Sequence, residues 1–134
     1  MNFAAVADTH AALWYVFADS RLSSSARSFI DRTIANGATI AVSSISLVEI
    51  AYLVEKKRIP ATAFHDLRIV LADPGHVFKE AAVTSEIAEA MLQVPRDQVP
   101  DMPDRIVAAT AIYLGVPALS RDGRIRTSLT QTIW

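Results

Sequence analysis

Between Asp101 and Arg126 the residues allow one local order of events: a helix, a sharp stop, a short buried strand and a polar turn. Asp101 offers an N-cap acceptor, and Pro103 suits the first turn of the helix that follows. Ile106, Ala109 and Tyr113 recur at helical spacing, and Val107, Ala111 and Leu114 widen the same apolar stripe. Gly115 fits the position just past a helix end, and Pro117 forbids further helix. Val116 to Leu119 is an apolar run suited to a strand buried on both faces, and Ser120-Arg121-Asp122-Gly123 ends it abruptly. Two acids mark the ends of this unit: Asp104 in the first helical turn and Asp122 just past the strand. In open α/β sheets ligands bind outside the carboxyl ends of the strands, so a helix start and a strand end can present two carboxylates to one crevice. Each acid also has an ordinary local role. Asp104 can complement the helix dipole or pair with the cap at Asp101, and Asp122-Gly123 can be a turn.

The rest of the chain repeats the strand-then-helix pattern. Asn2 to Ala7 reads as a strand ending at Asp8, and Ala11 to Ala18 as a helix with Leu13, Trp14 and Phe17 on its apolar side. Ser23 to Ser25 offer a cap for a helix over Ala26 to Ala35, which Asn36-Gly37 ends. Thr39 to Val42 reads as a second strand, and Ser46 to Lys57 as a helix with Leu47, Ile50, Ala51 and Val54 on one face. On that reading Glu49 stands in the first turn, at capping-box spacing from Ser46. Pro60 opens a helix to about Ala72, and Asp73-Pro74-Gly75 breaks it. His76 to Ala81 reads as a third strand, and Thr84 as the cap of a helix from Ser85 to Leu92. Pro95 to Pro100 is a loop, Arg124 to Gln131 is polar, and Thr132 to Trp134 reads as a last edge strand. Strands alternating with helices predict an α/β fold with a mostly parallel sheet.

The 134 residues suit a single domain over 1–134, with no internal repeat or linker. A chain near this size buries roughly 68% of its unfolded surface. It contains no cysteine, which excludes disulfides, a thiolate zinc site and a Cys nucleophile, and fits a cytoplasmic setting. No apolar run reaches a membrane span, and the N-terminus lacks the pattern of a signal peptide. The net charge of -1 argues against nucleic-acid binding by bulk charge, but it allows an acidic site with a basic rim.

Asp8, Glu49, Asp104 and Asp122 therefore share one kind of position, at a strand end or in the first turn of a following helix, which parallel topology puts on one edge of the sheet. Two full charges 4 Å apart cost about 4 kcal/mol at an effective dielectric of 20, so such a cluster is best explained by a bound cation. All-oxygen ligands favour Mg²⁺ or Mn²⁺.

These residues resemble those of a PIN domain, specifically of the VapC-like toxins of toxin–antitoxin pairs. The resemblance is carried by Ala7-Asp8-Thr9-His10-Ala11-Ala12-Leu13-Trp14, by Ser43 to Ile50, by Pro103 to Ala111 and by Leu119-Ser120-Arg121-Asp122, in order over nearly the whole chain. It implies a PIN-like α/β/α sandwich and a Mg²⁺-dependent endoribonuclease toxin, with Mn²⁺ as a possible substitute. It also implies a small cognate antitoxin and a homodimer. The family's acidic metal ligands fall on Asp8, Glu49, Asp104 and Asp122, and its supporting polar residues on Thr9 and Ser120. Asp101 is an extra acid, either ligand or cap. Arg105, Arg121, Arg124 and Arg126 can steer RNA phosphates or form a solvated rim. His10 is near enough to Asp8 for acid–base chemistry, although a carboxylate–metal site does not need it.

The aromatic residues Trp14, Tyr15 and Phe17, with Tyr52 and Leu53, exceed what one core-facing stripe needs. They predict a hydrophobic groove for an amphipathic antitoxin segment. The competing class is a non-catalytic PIN-like protein-binding module. A phosphoacceptor domain fits poorly, because no acids are paired at the end of the first strand.

Overall fold

The computed structural model describes residues 2–127 and 131–134. The apolar runs form strands β1 (Phe3–Ala7), β2 (Thr39–Ser43), β3 (Phe78–Ala81), β4 (Ala118–Leu119) and β5 (Thr132–Ile133). They make one sheet in the order β3-β2-β1-β4-β5, and every pairing is parallel. The chain moves outward in one direction from β1 to β3, then returns to the other side of β1 with β4. The order therefore reverses between β1 and β4, where Ala7 pairs with Leu119. Asp8 and the Ser120–Asp122 segment leave the sheet at this switch point.

Helices α1 (Thr9–Val16), α2 (Ser24–Ala35), α3 (Ser44–Glu55), α4 (Ala63–Ala72), α5 (Ser85–Ala90), α6 (Met102–Leu114) and α7 (Gly123–Arg126) complete an α/β/α sandwich, with a 3-10 turn at Met91–Gln93. Strand side chains alternate between the two faces of the sheet. Ala5, Ala7, Ile40, Val42 and Leu119 pack with Leu13 and Trp14 of α1, Ile30 of α2, Ile50 of α3 and Leu67 of α4. Val6, Ala41 and Ala118 face the other way, onto Val107 and Ala111 of α6 and Ile125 of α7. Small side chains at Ala41, Ala111 and Ala118 let α6 lie close to the sheet. Ile87 and Ala90 of α5 pack with Ile106 and Ala109 in a separate cluster. Among the described residues no helix is long and apolar enough to cross a membrane.

Several boundaries differ from the sequence reading. Helix α3 starts at Ser44 rather than Ser46, because Ser43 Oγ accepts the Ile45 amide at 3.2 Å. Ser46 is therefore inside the helix and fully buried. Helix α1 ends at Val16, with Ala18 in left-handed backbone at φ 52°. Phe17 is consequently 44% exposed instead of lying on the apolar side. Tyr113 is also exposed, since the buried residues of α6 end at Ala111. Pro60 precedes α4 by a turn instead of opening it, and β4 spans only Ala118–Leu119. Gly115 takes the left-handed conformation expected at a helix end, at φ 67°. Helix α7 falls in what the sequence presents as a polar stretch, of which residues 128–130 lie outside the described residues.

Candidate active site

At the switch point one cleft of about 400 Å³ is lined by Asp8, Glu49, Asp101, Asp104 and Asp122, with His10, Trp14, Arg21 and Arg121. Each acid arrives from a different element. Asp8 follows β1 and caps α1, its Oδ1 accepting the Ala11 amide at 2.8 Å. Asp122 follows β4 and caps α7, its Oδ1 accepting the Arg124 amide at 2.8 Å and the Ile125 amide at 3.1 Å. Each cap fixes its carboxylate through one oxygen, and the Ser120 hydroxyl also bonds to Asp8. Asp104 stands in the first turn of α6, and its amide is held by Asp101 Oδ1 at 3.1 Å. Asp101 is thus a helix cap that also lines the cleft.

Glu49 reaches the cleft from the second turn of α3, as the helix's sixth residue. The capping-box pairing with Ser46 is therefore incorrect. Ser46 has another partner, the Thr9 hydroxyl, which donates to its Oγ at 2.9 Å. Thr9 is buried and ties α1 to α3 beneath the cleft rather than lining it. Ser120, also buried, accepts the Asp122 amide at 3.0 Å and so sets the turn that delivers that acid. Arg105 stands apart from the cleft lining: its guanidinium donates to the carbonyls of Val94 and Met91, both at 2.9 Å. Arg121 does line the cleft. Arg21, which no local sequence signal picks out, lines it too, and both guanidiniums lie over the Trp14 ring.

The electrostatics are those of crowded like charges. Asp104 is pushed up to about 7 by burial first, then by Asp101, Asp122, Glu49 and Asp8. Burial also raises Asp8, an effect opposed by the Ser120 hydroxyl, the Ala11 amide and His10 and reinforced by Asp122. Glu49 Oε1 is buried with no hydrogen-bond partner among the described residues, an arrangement that costs free energy unless a ligand satisfies it. Among the described residues no three acidic or histidine side chains stand close enough to form a ready-made metal site. The cleft gathers all five acids around its walls, near enough for the other four to act on Asp104. An all-oxygen donor set, an unsatisfied Glu49 oxygen and an Asp104 inclined to keep its proton all fit a hard divalent cation.

Beside the cleft a larger groove of about 680 Å³ shares His10, Trp14, Arg21 and Glu49 with it and adds Leu13, Phe17, Leu53, Ile59 and Pro60. Phe17 and Leu53 are groove residues, as the sequence suggests. Trp14 belongs to the core, Tyr15 packs on Phe78 and His76, and Tyr52 is exposed outside the groove under Lys56.

A parallel five-stranded sandwich with acids around its switch point defines the class, and residues 5–127 match the model of the PIN domain family. The chain belongs to that family. It is 31% identical to Ribonuclease VapC22 of Mycobacterium tuberculosis over 120 residues, covering 90% of this chain and 88% of that protein. The fold matches a chain of the VapBC2 crystal structure from Rickettsia felis, solved with a DNA fragment from their promoter. That match has a TM-score of 0.67 and 17% identity over 100% of both chains. It also matches a toxin–antitoxin complex from Klebsiella pneumoniae, with a TM-score of 0.64 and 19% identity over 97% of this chain and 96% of the other.

Proposed function

We propose that this protein is a Mg²⁺- or Mn²⁺-dependent endoribonuclease, the toxin of a toxin–antitoxin pair acting in the cytoplasm. The carrying observation is the shared cleft of Asp8, Glu49, Asp104 and Asp122, in which Glu49 Oε1 is buried and unsatisfied. Kinship with Ribonuclease VapC22 supports the reaction class. Asp8, Asp104, Asp122 and Glu49 would hold the cation, which when bound supplies charge neutralisation at phosphate oxygens and an activated water. The chain's own part is to fix and exclude. The amides of Ala11, Arg124 and Ile125 lock Asp8 and Asp122 in orientation. Ser120 sets the turn that delivers Asp122, and Thr9 ties α1 to α3. Glu49 Oε1, with no donor among the described residues, can orient a water or take its proton. Arg121 at the rim offsets the acids' repulsion of an RNA backbone.

The larger groove supports the antitoxin reading. Leu13, Phe17, Leu53 and Ile59 provide an apolar trough that opens toward the carboxylates. An amphipathic partner helix laid there can send an Arg into the acids and compete with the cation.

Purified protein is expected to cleave single-stranded RNA with Mg²⁺ or Mn²⁺ and to stop when a chelator is added. Asp104→Asn should abolish cleavage while the fold persists. Full activity in the Asn variant removes the role given to Asp104. Absence of cleavage by the wild type with every divalent metal leaves a protein-binding module.

A further inference from the structure

Among the described residues, Arg121 is the arginine of the cleft without an acidic partner. Arg121 lies beside five carboxylates, yet its guanidinium bonds to none of them; among the described residues the one salt bridge is Arg21–Asp19. Arg121 rests instead over the Trp14 ring, 4.7 Å from the centroid. Arg21 lies 5.0 Å from the same centroid and is gripped by Asp19 through Nε at 3.0 Å and Nη2 at 2.8 Å. Trp134 packs on Trp14 at 5.7 Å. The indole itself is buried, so it does not serve as a stacking surface for an RNA base.

We infer that Arg121 is a phosphate-binding residue for the RNA strand next to the cleaved bond. In this arrangement Trp14 is the positioning residue that keeps the guanidinium off the carboxylates, and Arg21–Asp19 and Trp134 hold the indole in place. An arginine free to move would fall onto the acids and occupy the site. A guanidinium stacked on an indole keeps its planar fork of N–H donors exposed at the edge, suited to two oxygens of one phosphate. Because Asp19 neutralises Arg21, Arg121 is the positive charge this subsite offers a phosphate.

The inference rests on the ribonuclease reading, and the experiment separates the two. Binding of a single-stranded oligoribonucleotide is followed by fluorescence anisotropy with the full chain in chelator, across a range of salt concentrations, and cleavage is measured in parallel with metal. Arg121→Gln should weaken binding about tenfold, the scale of one charge-assisted hydrogen bond. It should also make the slope of log affinity against log salt shallower by about 0.7, the change expected when a single strand has one phosphate fewer neutralised by the protein. Trp14→Leu should keep that slope, since no charge is removed, yet raise KM severalfold with a smaller change in kcat. Trp14→Phe, which keeps an aromatic face, should recover most of the loss. An unchanged slope in Arg121→Gln overturns the inference while wild-type binding and cleavage leave the ribonuclease reading standing. A wild type that neither binds nor cleaves RNA overturns both. Wild-type KM in a folded Trp14→Leu protein removes the positioning role.

Discussion

At the scale of single residues, Asp104 is the most informative group. Its carboxyl titrates at about 7 in the fold against an ordinary 3.8, through burial and then through repulsion from Asp101, Asp122, Glu49 and Asp8. The folded protein therefore holds a proton that the unfolded chain gives up. This contribution to stability is complete below about pH 3.8 and is lost as pH rises through about 7. Asp8, raised mainly by burial, acts in the same direction. His76 opposes it, because burial lowers its pKa and favours the fold at higher pH. The difference between wild type and Asp104→Asn isolates the Asp104 effect. In chelator, the Asn variant's advantage in Tm should grow from pH 5 to pH 8; an advantage that stays constant across that range contradicts the crowded-acid account. Asp8, Asp104 and Asp122 are legible in the sequence because each follows a strand or opens a helix in a segment with clear stop signals. The partner of Arg105 is not legible, since a guanidinium's carbonyl acceptors 11 and 14 residues back depend on how α5 packs against α6.

At the scale of elements, three acids of the cleft, Asp8, Asp101 and Asp122, are also helix caps, and for Asp8 the two duties can be separated. Asn caps nearly as well as Asp, whereas Ala does not. Asp8→Asn should keep the bond to the Ala11 amide, retain or gain stability, and lose cleavage. Asp8→Ala should lose cleavage and also about 1 kcal/mol of stability, measured by denaturant unfolding. Equal stability in the two variants would mean that the cap contributes nothing.

Caps also explain what the sequence leaves ambiguous. Local spacing places the start of α3 at Ser46, after Ser43 and Ser44. Tertiary bonds decide the matter: Ser44 Oγ accepts the Val83 amide at 3.1 Å, and Ser46 Oγ accepts from Thr9 at 2.9 Å, leaving Ser43 as the cap. Glu49 is therefore a cleft residue even though the local spacing that places it in a first turn is mistaken. Helix α7 is hidden in the sequence because it is four residues long, opens on Gly123 and buries only Ile125.

For the whole molecule, the strand order matters more than any motif. Reversal of direction between β1 and β4 creates the crevice, α3 and α6 close its sides, and the apolar groove by α1, α3 and α4 runs into it. On the proposed reading, an antitoxin helix laid in the groove would reach the carboxylates, because the groove shares His10, Trp14, Arg21 and Glu49 with the cleft. Phe17→Glu places a charge in that groove on an already exposed side chain. It should weaken antitoxin capture in a co-expression pull-down at least tenfold while leaving RNA cleavage intact. Undiminished capture would put the antitoxin on another face.

The central claim is that Asp8, Glu49, Asp104 and Asp122 form one cation site. Calorimetric titration of Mn²⁺ into the metal-free protein at pH 7 tests it most directly. The account predicts one ion per chain, net proton release as Asp104 gives up its proton, and at least tenfold weaker binding in Asp104→Asn, with no proton released from that position. No saturable binding to the wild type, or equal affinity in the Asn variant, would contradict it.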